Sequence, residues 1–235
     1  MLRAAAGWLD QVPSLDLDDL REVQRISHAL LDRLARDREL LTRLVNEVLH
    51  DQERMDASRI TLLLNRLSLY QAPNRGFEIR LTMNPRPENQ LVPHDHRYAF
   101  ATRILTDGYV HVVRRRTNGW SGPFTGTDLE PAVVTLEGPG STYTLGDAMV
   151  HQAVMEPDTV TLFVRGPRRK KLSHAAQELM PPRETWPAPA IPGDEPEESR
   201  PPTLEEYQTM RAYLIQRQLI DWRRGFPWPR RAAPR

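Results

Sequence analysis

The chain has 235 residues, 39% of them hydrophobic, enough to bury one good core with a helical addition or an extended tail. Lys and Arg number 32 against 31 Asp and Glu, so the formal net charge of +1 gives no general pull toward nucleic acid or an acidic membrane surface. The absence of cysteine excludes disulfides, thiolate metal sites and a cysteine nucleophile.

No apolar run approaches the ~18 residues of a membrane span, and the opening segment turns acidic too early for a signal peptide. A soluble, cytoplasmic protein is expected. From Ser14, the residues Leu20, Val23, Ile26, Leu30, Leu31 and Leu34 recur at three- and four-residue spacing, the stripe of an amphipathic helix. Asp18 and Asp19 stand where they favour its N-terminus. Leu40, Leu41, Leu44, Val45, Val48 and Leu49 form a second stripe, and an interruption near Arg36 to Arg38 divides the two. Residues 1–57 therefore read as a helical segment packed on the strand-rich region beyond it.

After residue 58 the period changes. "RITLLLNRLSLY", "GFEIRLTM", "RYAFATRIL", "GYVHVVRRR", "AVVTLEG", "STYTLG" and "VTLFVRG" are short, rich in β-branched and aromatic residues, and separated by Gly, Pro, Asn and Asp. Seven or more strands over residues 58–180 without intervening helices point to an antiparallel sandwich or barrel. Residues 181–202 are dense in proline and acid, a linker or a strap with Trp186 as its anchor. Thr203 to Glu206 is a capping-box pattern that opens a helix in the last segment, 203–235. Its apolar positions Leu204, Tyr207, Met210, Leu214, Ile215, Leu219 and Trp222 need a partner, either this domain or a second subunit in a homodimer. The basic tail reads as solvated, not as a nucleic-acid contact.

Within "LVPHDHRYAF", strand alternation turns His94 and His96 to one side and Asp95 to the other. Alone, the pair is either a chelate for one divalent metal or two exposed histidines. Its spacing says more: Gly108 lies 12 residues after His96, and "GDAMVH" places His151 55 residues after it. H-x-H, a glycine at that distance and a later G-D-x-x-x-H resemble the two motifs of the cupin family. The resemblance implies a jelly-roll β-barrel in which the motifs face each other, bringing His151 to the centre formed by His94 and His96.

The family pattern has a glutamate ligand five residues after the second histidine, a position held here by Ala101. The cysteine dioxygenase-like thiol dioxygenases lack that glutamate and bind Fe(II) with three histidines. The chain resembles that branch over residues 15–170, through the helices before the barrel, "PHDHRYAF", "YTLGDAMVHQAV" and "VTLFVRGP". Three neutral imidazoles suit Fe(II) and would also accept Ni, Zn or Cu. The implied activity is an O2-dependent oxygenase of a small thiol or amino-acid-like carboxylate. Oxygenation of a non-thiol carboxylate and a non-catalytic, ligand-binding cupin are the alternatives.

Several family residues are missing. The branch's thioether link between cysteine and tyrosine would fall at Ala101 and about Arg165, so no such crosslink can form. Its serine, histidine, tyrosine relay would place Thr161 at the serine and Phe163 at the histidine. Arg165 is then either a clamp for a substrate carboxylate or turned outward with the basic run Arg168, Arg169, Lys170 and Lys171. The family's carboxylate-binding arginine corresponds best to Arg66 and next to Arg80. Tyr98 and Tyr143 are candidate supporting hydroxyls or core fillers. His111 is a fourth ligand, a proton shuttle or a packed neighbour, and His28, His50 and His174 are assigned no role.

Overall fold

The computed structural model describes residues 7–15, 19–61, 64–72, 74, 76–84, 88–119, 121–179 and 199–222. Three helices come first: α1 (Leu20–Arg36), α2 (Arg38–Val48) and α3 (Gln52–Ala57). Aspartates punctuate them. Asp19 accepts from the backbone N–H of Arg21 and Glu22 at 2.9 and 3.2 Å, and Asp37 both ends α1 and caps α2 through Leu40 N–H at 2.9 Å. Asp51 does the same for α3. Asp18 and Trp186 lie outside the described residues, as do most of the proline-rich stretch and the basic tail.

Among the described residues ten strands follow: β1 (Arg59–Ile60), β2 (Asn65–Ala72), β3 (Phe77–Asn84), β4 (Glu88–His94), β5 (Phe100–Thr106), β6 (Tyr109–Arg116), β7 (Leu129–Glu137), β8 (Thr142–Leu145), β9 (Val150–Met155) and β10 (Thr159–Arg165). They form a six-stranded sheet, β1-β2-β3-β10-β5-β8, and a four-stranded sheet, β4-β9-β6-β7. Every described pairing is antiparallel. The interleaving of β3-β10-β5-β8 with β4-β9-β6-β7 is the strand order of a jelly roll. β1 and β2 widen one sheet.

Residues paired across antiparallel strands share a face, so the register of the six-stranded sheet gives its two faces directly. One row runs Leu67, Leu81, Leu162, Arg103, and the next Tyr70, Ile79, Val164, Ala101. These rows pack against α1, α2 and the C-terminal helix α4 (Leu204–Gln216), and here the main hydrophobic core lies. The alternate row runs Ser68, Arg80, Phe163, Thr102, Tyr143, and faces the inside of the barrel.

α4 starts as its capping box requires, with Thr203 and Glu206 bonded reciprocally. It is shorter than the apolar pattern, which runs on to Trp222, because Gln218 adopts a positive φ of 59° just past its end. Tyr207, Met210 and Leu214 are buried on the same chain, α2 among their neighbours, while Leu204 and Trp222 remain exposed. Tyr207 Oη donates to Val45 O at 2.8 Å, Arg211 Nε to Asn46 Oδ1 at 2.7 Å, and Arg38 to Ile220 O at 3.0 Å. Among the described residues no helix is long and apolar enough to cross a membrane.

Candidate metal centre

His94 closes β4 and His151 lies directly opposite it on β9, paired across the strands. His96 comes next, on the loop into β5. Neighbours of this kind sit close on one face of a sheet, and the three rings converge, with centroids 4.7 to 5.0 Å apart. One ligand atom from each lies within 4.8 Å of the others, and His96 Nε2 and His151 Nε2 are only 2.7 Å apart. His94 and His151 are buried, whereas His96 keeps part of its ring open to the barrel cavity.

Burial holds His96 and His151 well below the ordinary histidine pKa; the His94 ring and the charges of Lys170 and Arg66 lower His96 further, and the His94, His96 and His111 rings lower His151. His94 is lowered by burial as well. Three neutral imidazoles whose ring nitrogens converge are a donor set that fits a divalent metal of borderline softness. His94 Nδ1 lies 2.9 Å from the Val92 carbonyl, which can only accept, so Nδ1 carries the proton and Nε2 the lone pair.

His111, on β6, is no fourth member of this group. Its Nε2 lies 2.9 Å from Nδ1 of His151, on the side of that ring away from the cluster. Behind it, His111 Nδ1 is 3.8 Å from the Glu137 carboxylate, and Thr135 Oγ1 donates to the same oxygen at 2.6 Å. Gly108 explains its own spacing: a Cβ there would come within 2.0 Å of the Glu137 carbonyl, so only glycine lets the start of β6 pass the end of β7.

The Ala101 expectation needs correcting. Ala101 is buried in the core under the helices, on the face of β5 opposite the histidines. The inward residue is Phe100, whose ring meets His96 edge-on at 4.6 Å and stacks on Phe163 at 4.9 Å. An aromatic ring thus occupies the place from which a carboxylate ligand would come.

The cavity beside the histidines has a volume of about 110 Å³, room for a small molecule only. Arg66, Arg80, Thr161, Phe163, Phe100 and Tyr143 of the six-stranded sheet and Tyr109, His151, Ala153 and Met155 of the four-stranded sheet line it, together with His96 and Tyr98. Arg66 and Arg80 therefore both face the cavity, where strand alternation alone could not choose between them. Arg80 is ion-paired to Glu78. Burial pushes the Tyr143 hydroxyl up to about 12, and it bonds to the Tyr109 hydroxyl.

Arg165 takes neither of the places expected for it. It is absent from the cavity lining, and its guanidinium pairs with Glu78 at 2.7 Å and lies 4.8 Å over the Tyr98 ring. The costly charge is matched by a carboxylate of the chain itself.

Asp95, which alternation turns away from the histidines, anchors the loop that carries them. It is fully buried, receiving Lys170 Nζ at 2.6 Å and the His174 backbone N–H at 2.7 Å, with His174 Nδ1 at 3.2 Å. Lys170 is therefore not part of an outward basic run, and His174 has a partner. With Asp95 N–H donating to His174 O and Ala176 N–H to Pro93 O, each 3.0 Å, this anchor ties the segment after β10 alongside the histidine loop. The available signal was an aspartate between two histidines, with Lys and His downstream.

The sequence matches no protein-family model and no curated protein. Among solved structures, KdgF from Halomonas sp. is 15% identical at a TM-score of 0.34, covering 47% of this chain and 84% of that one. An RmlC-like cupin from Shewanella frigidimarina NCIMB 400 is 16% identical at 0.34, covering 47% and 82%. The DMSP lyase DddQ from Ruegeria pomeroyi DSS-3 is 11% identical at 0.34, covering 49% and 55%.

Proposed function

We propose that the protein is a mononuclear, three-histidine Fe(II) enzyme of the cupin kind, an O2-dependent oxygenase of a small thiol or amino-acid-like carboxylate. One observation carries this reading: a neutral histidine triad and two arginines line the same small cavity. His94, His96 and His151 would hold the metal, and Ni, Zn or Cu would accept the same donors. Fe(II) bound there supplies the redox chemistry that activates dioxygen toward a chelating substrate.

The chain's own groups do the rest. Arg66 and Arg80 line the cavity where a substrate carboxylate would be oriented, Arg80 while it also pairs with Glu78. Phe100, Phe163, Leu64 and Met155 keep water from the reacting end. Tyr143 remains protonated at neutral pH and holds a hydroxyl at the cavity wall, bonded to that of Tyr109.

A non-thiol carboxylate is the second reading, favoured by one feature: the wall where thiol dioxygenases carry relay residues holds Phe163, with Arg165 locked to Glu78. Oxygen uptake by anaerobically iron-loaded protein, with panels of thiols, amino acids and keto acids, decides between them. Uptake with a thiol carboxylate supports the first; uptake only with a non-thiol carboxylate supports the second. Retention of less than about 0.1 metal per chain after reconstitution sinks both and leaves a ligand-binding protein without turnover.

A further inference from the structure

We infer that the hydroxyls of Tyr109, Tyr143 and Thr102 form a second binding end of the cavity, opposite the arginines, and that they select a small carboxylic acid carrying a second, uncharged oxygen such as a carbonyl or hydroxyl. The inference rests on the reading of Arg66 and Arg80 as the carboxylate end and adds to it the chemistry of the ligand's other end.

The placement follows from strand order. Arg80 and Tyr143 share one inward row of the six-stranded sheet, with Phe163 and Thr102 on the strands between them. At ~4.8 Å per strand, their backbones stand roughly 14 Å apart. Arg66 lies on β2, one strand farther from Tyr143 than Arg80 is, and Tyr109 reaches in from β6 of the facing sheet to bond the Tyr143 hydroxyl. Guanidinium groups therefore enter from one side of the cavity and hydroxyls from the other, and all five side chains line it.

Each hydroxyl has one proton to donate. Tyr143 bonds to Tyr109 and to Thr102, so three hydroxyls are joined by two bonds. Whichever way those bonds run, one O–H proton is left over, and it belongs to a group on the cavity wall. Tyr109 and Thr102 are each only 4% exposed, so this donor lies away from bulk water, where an acceptor brought by a ligand counts most. Burial raises both phenols, Tyr143 to about 12 and Tyr109 well above its ordinary value, and the Glu137 charge pushes each the same way. The same charge opposes a second carboxylate at this end. A carbonyl or hydroxyl meets no such repulsion.

Calorimetric titration of the metal-free protein with pentanoate, 4-oxopentanoate and glutarate, acids of equal chain length, tests this without involving the metal. 4-Oxopentanoate should bind about 10-fold or more tightly than pentanoate, which leaves the O–H donor unmet, and more tightly than glutarate, which brings a second charge. Replacing both phenols, Tyr109→Phe together with Tyr143→Phe, keeps the rings and should remove most of that preference. Equal affinity for 4-oxopentanoate and pentanoate in the unsubstituted protein would overturn the inference, as would tightest binding of glutarate or a preference undiminished by the double substitution. If none of the acids binds, the carboxylate reading of the arginine end fails and takes this inference with it. If they bind without preference, that reading stands and only the hydroxyl end falls.

Discussion

The two faces of the six-stranded sheet share a backbone and little else. On one, Leu67, Leu81 and Leu162 lie in register under the helices. One residue along, Arg80 and Phe163 lie in register and line the cavity, with Ser68 in the same row. Stability is concentrated on the first face, where aliphatic area is removed from water against α1, α2 and α4. The second face gives its positions to charge, hydroxyls and rings that contribute little to folding and much to recognition. A shift of one residue in register would exchange them.

Adjacent substitutions in β5 test that contrast most severely. Ala101→Glu puts a carboxylate and extra volume into the helix-facing core and should destabilise by about 4 kcal/mol or more. Phe100→Glu, one position earlier, places the same carboxylate beside His96 and should fold and bind Zn(II) more tightly than the unsubstituted protein. Urea titration and chelator competition on both variants check this. The reverse pattern would mean that β5 faces the other way. Leu81→Ala, in the centre of the covered face, should cost about 2–5 kcal/mol in the same titration and leave the Zn(II) stoichiometry of the folded protein unchanged. On the cavity face, Arg66→Gln should weaken a carboxylate substrate or inhibitor by roughly 1.5–3 kcal/mol, seen in KM or Kd and not in metal content.

The helices and the strand-rich centre were legible because their signals are local: apolar spacing from Leu20 to Leu49, aspartates at helix starts, and β-branched runs between turn residues. The histidine triad was legible only through the distances from His96 to Gly108 and His151, since β4 and β9 meet through the fold and not through the sequence. What was not legible was the phase of β2, β3 and β5 relative to the cavity. Ala101 and Phe100 differ by one residue, and the bulge between Gln90 and His94 breaks simple counting along the histidine strand. Arg165 and Lys170 looked like unmatched charge because their partners, Glu78 and Asp95, are distant in the chain. Asp95 shows that alternation predicts direction without saying whether water or protein waits on that side.

Acid should separate the two faces without any substitution. Inside the barrel, His94, His96, His151 and His111 are each held below the ordinary value of 6.5, chiefly by burial. In the unfolded chain they return to it. Between the two values the unfolded state binds protons that the folded state does not, so stability rises with pH through that window. The contribution is complete above about pH 6.5 and is lost as pH falls toward the folded values, at up to ~1.4 kcal/mol per pH unit for each histidine still neutral. Urea midpoints of metal-free protein should be nearly flat from about pH 8 to 7 and fall steeply below 6.5. Leu81→Ala should lower the whole curve without changing its slope, because it removes aliphatic volume and no titrating group. His111→Gln should lessen the slope, because one of the four rings is gone. A curve that stays flat to about pH 5 would mean that water reaches these rings, and the inner face would then be an open groove instead of a closed cavity.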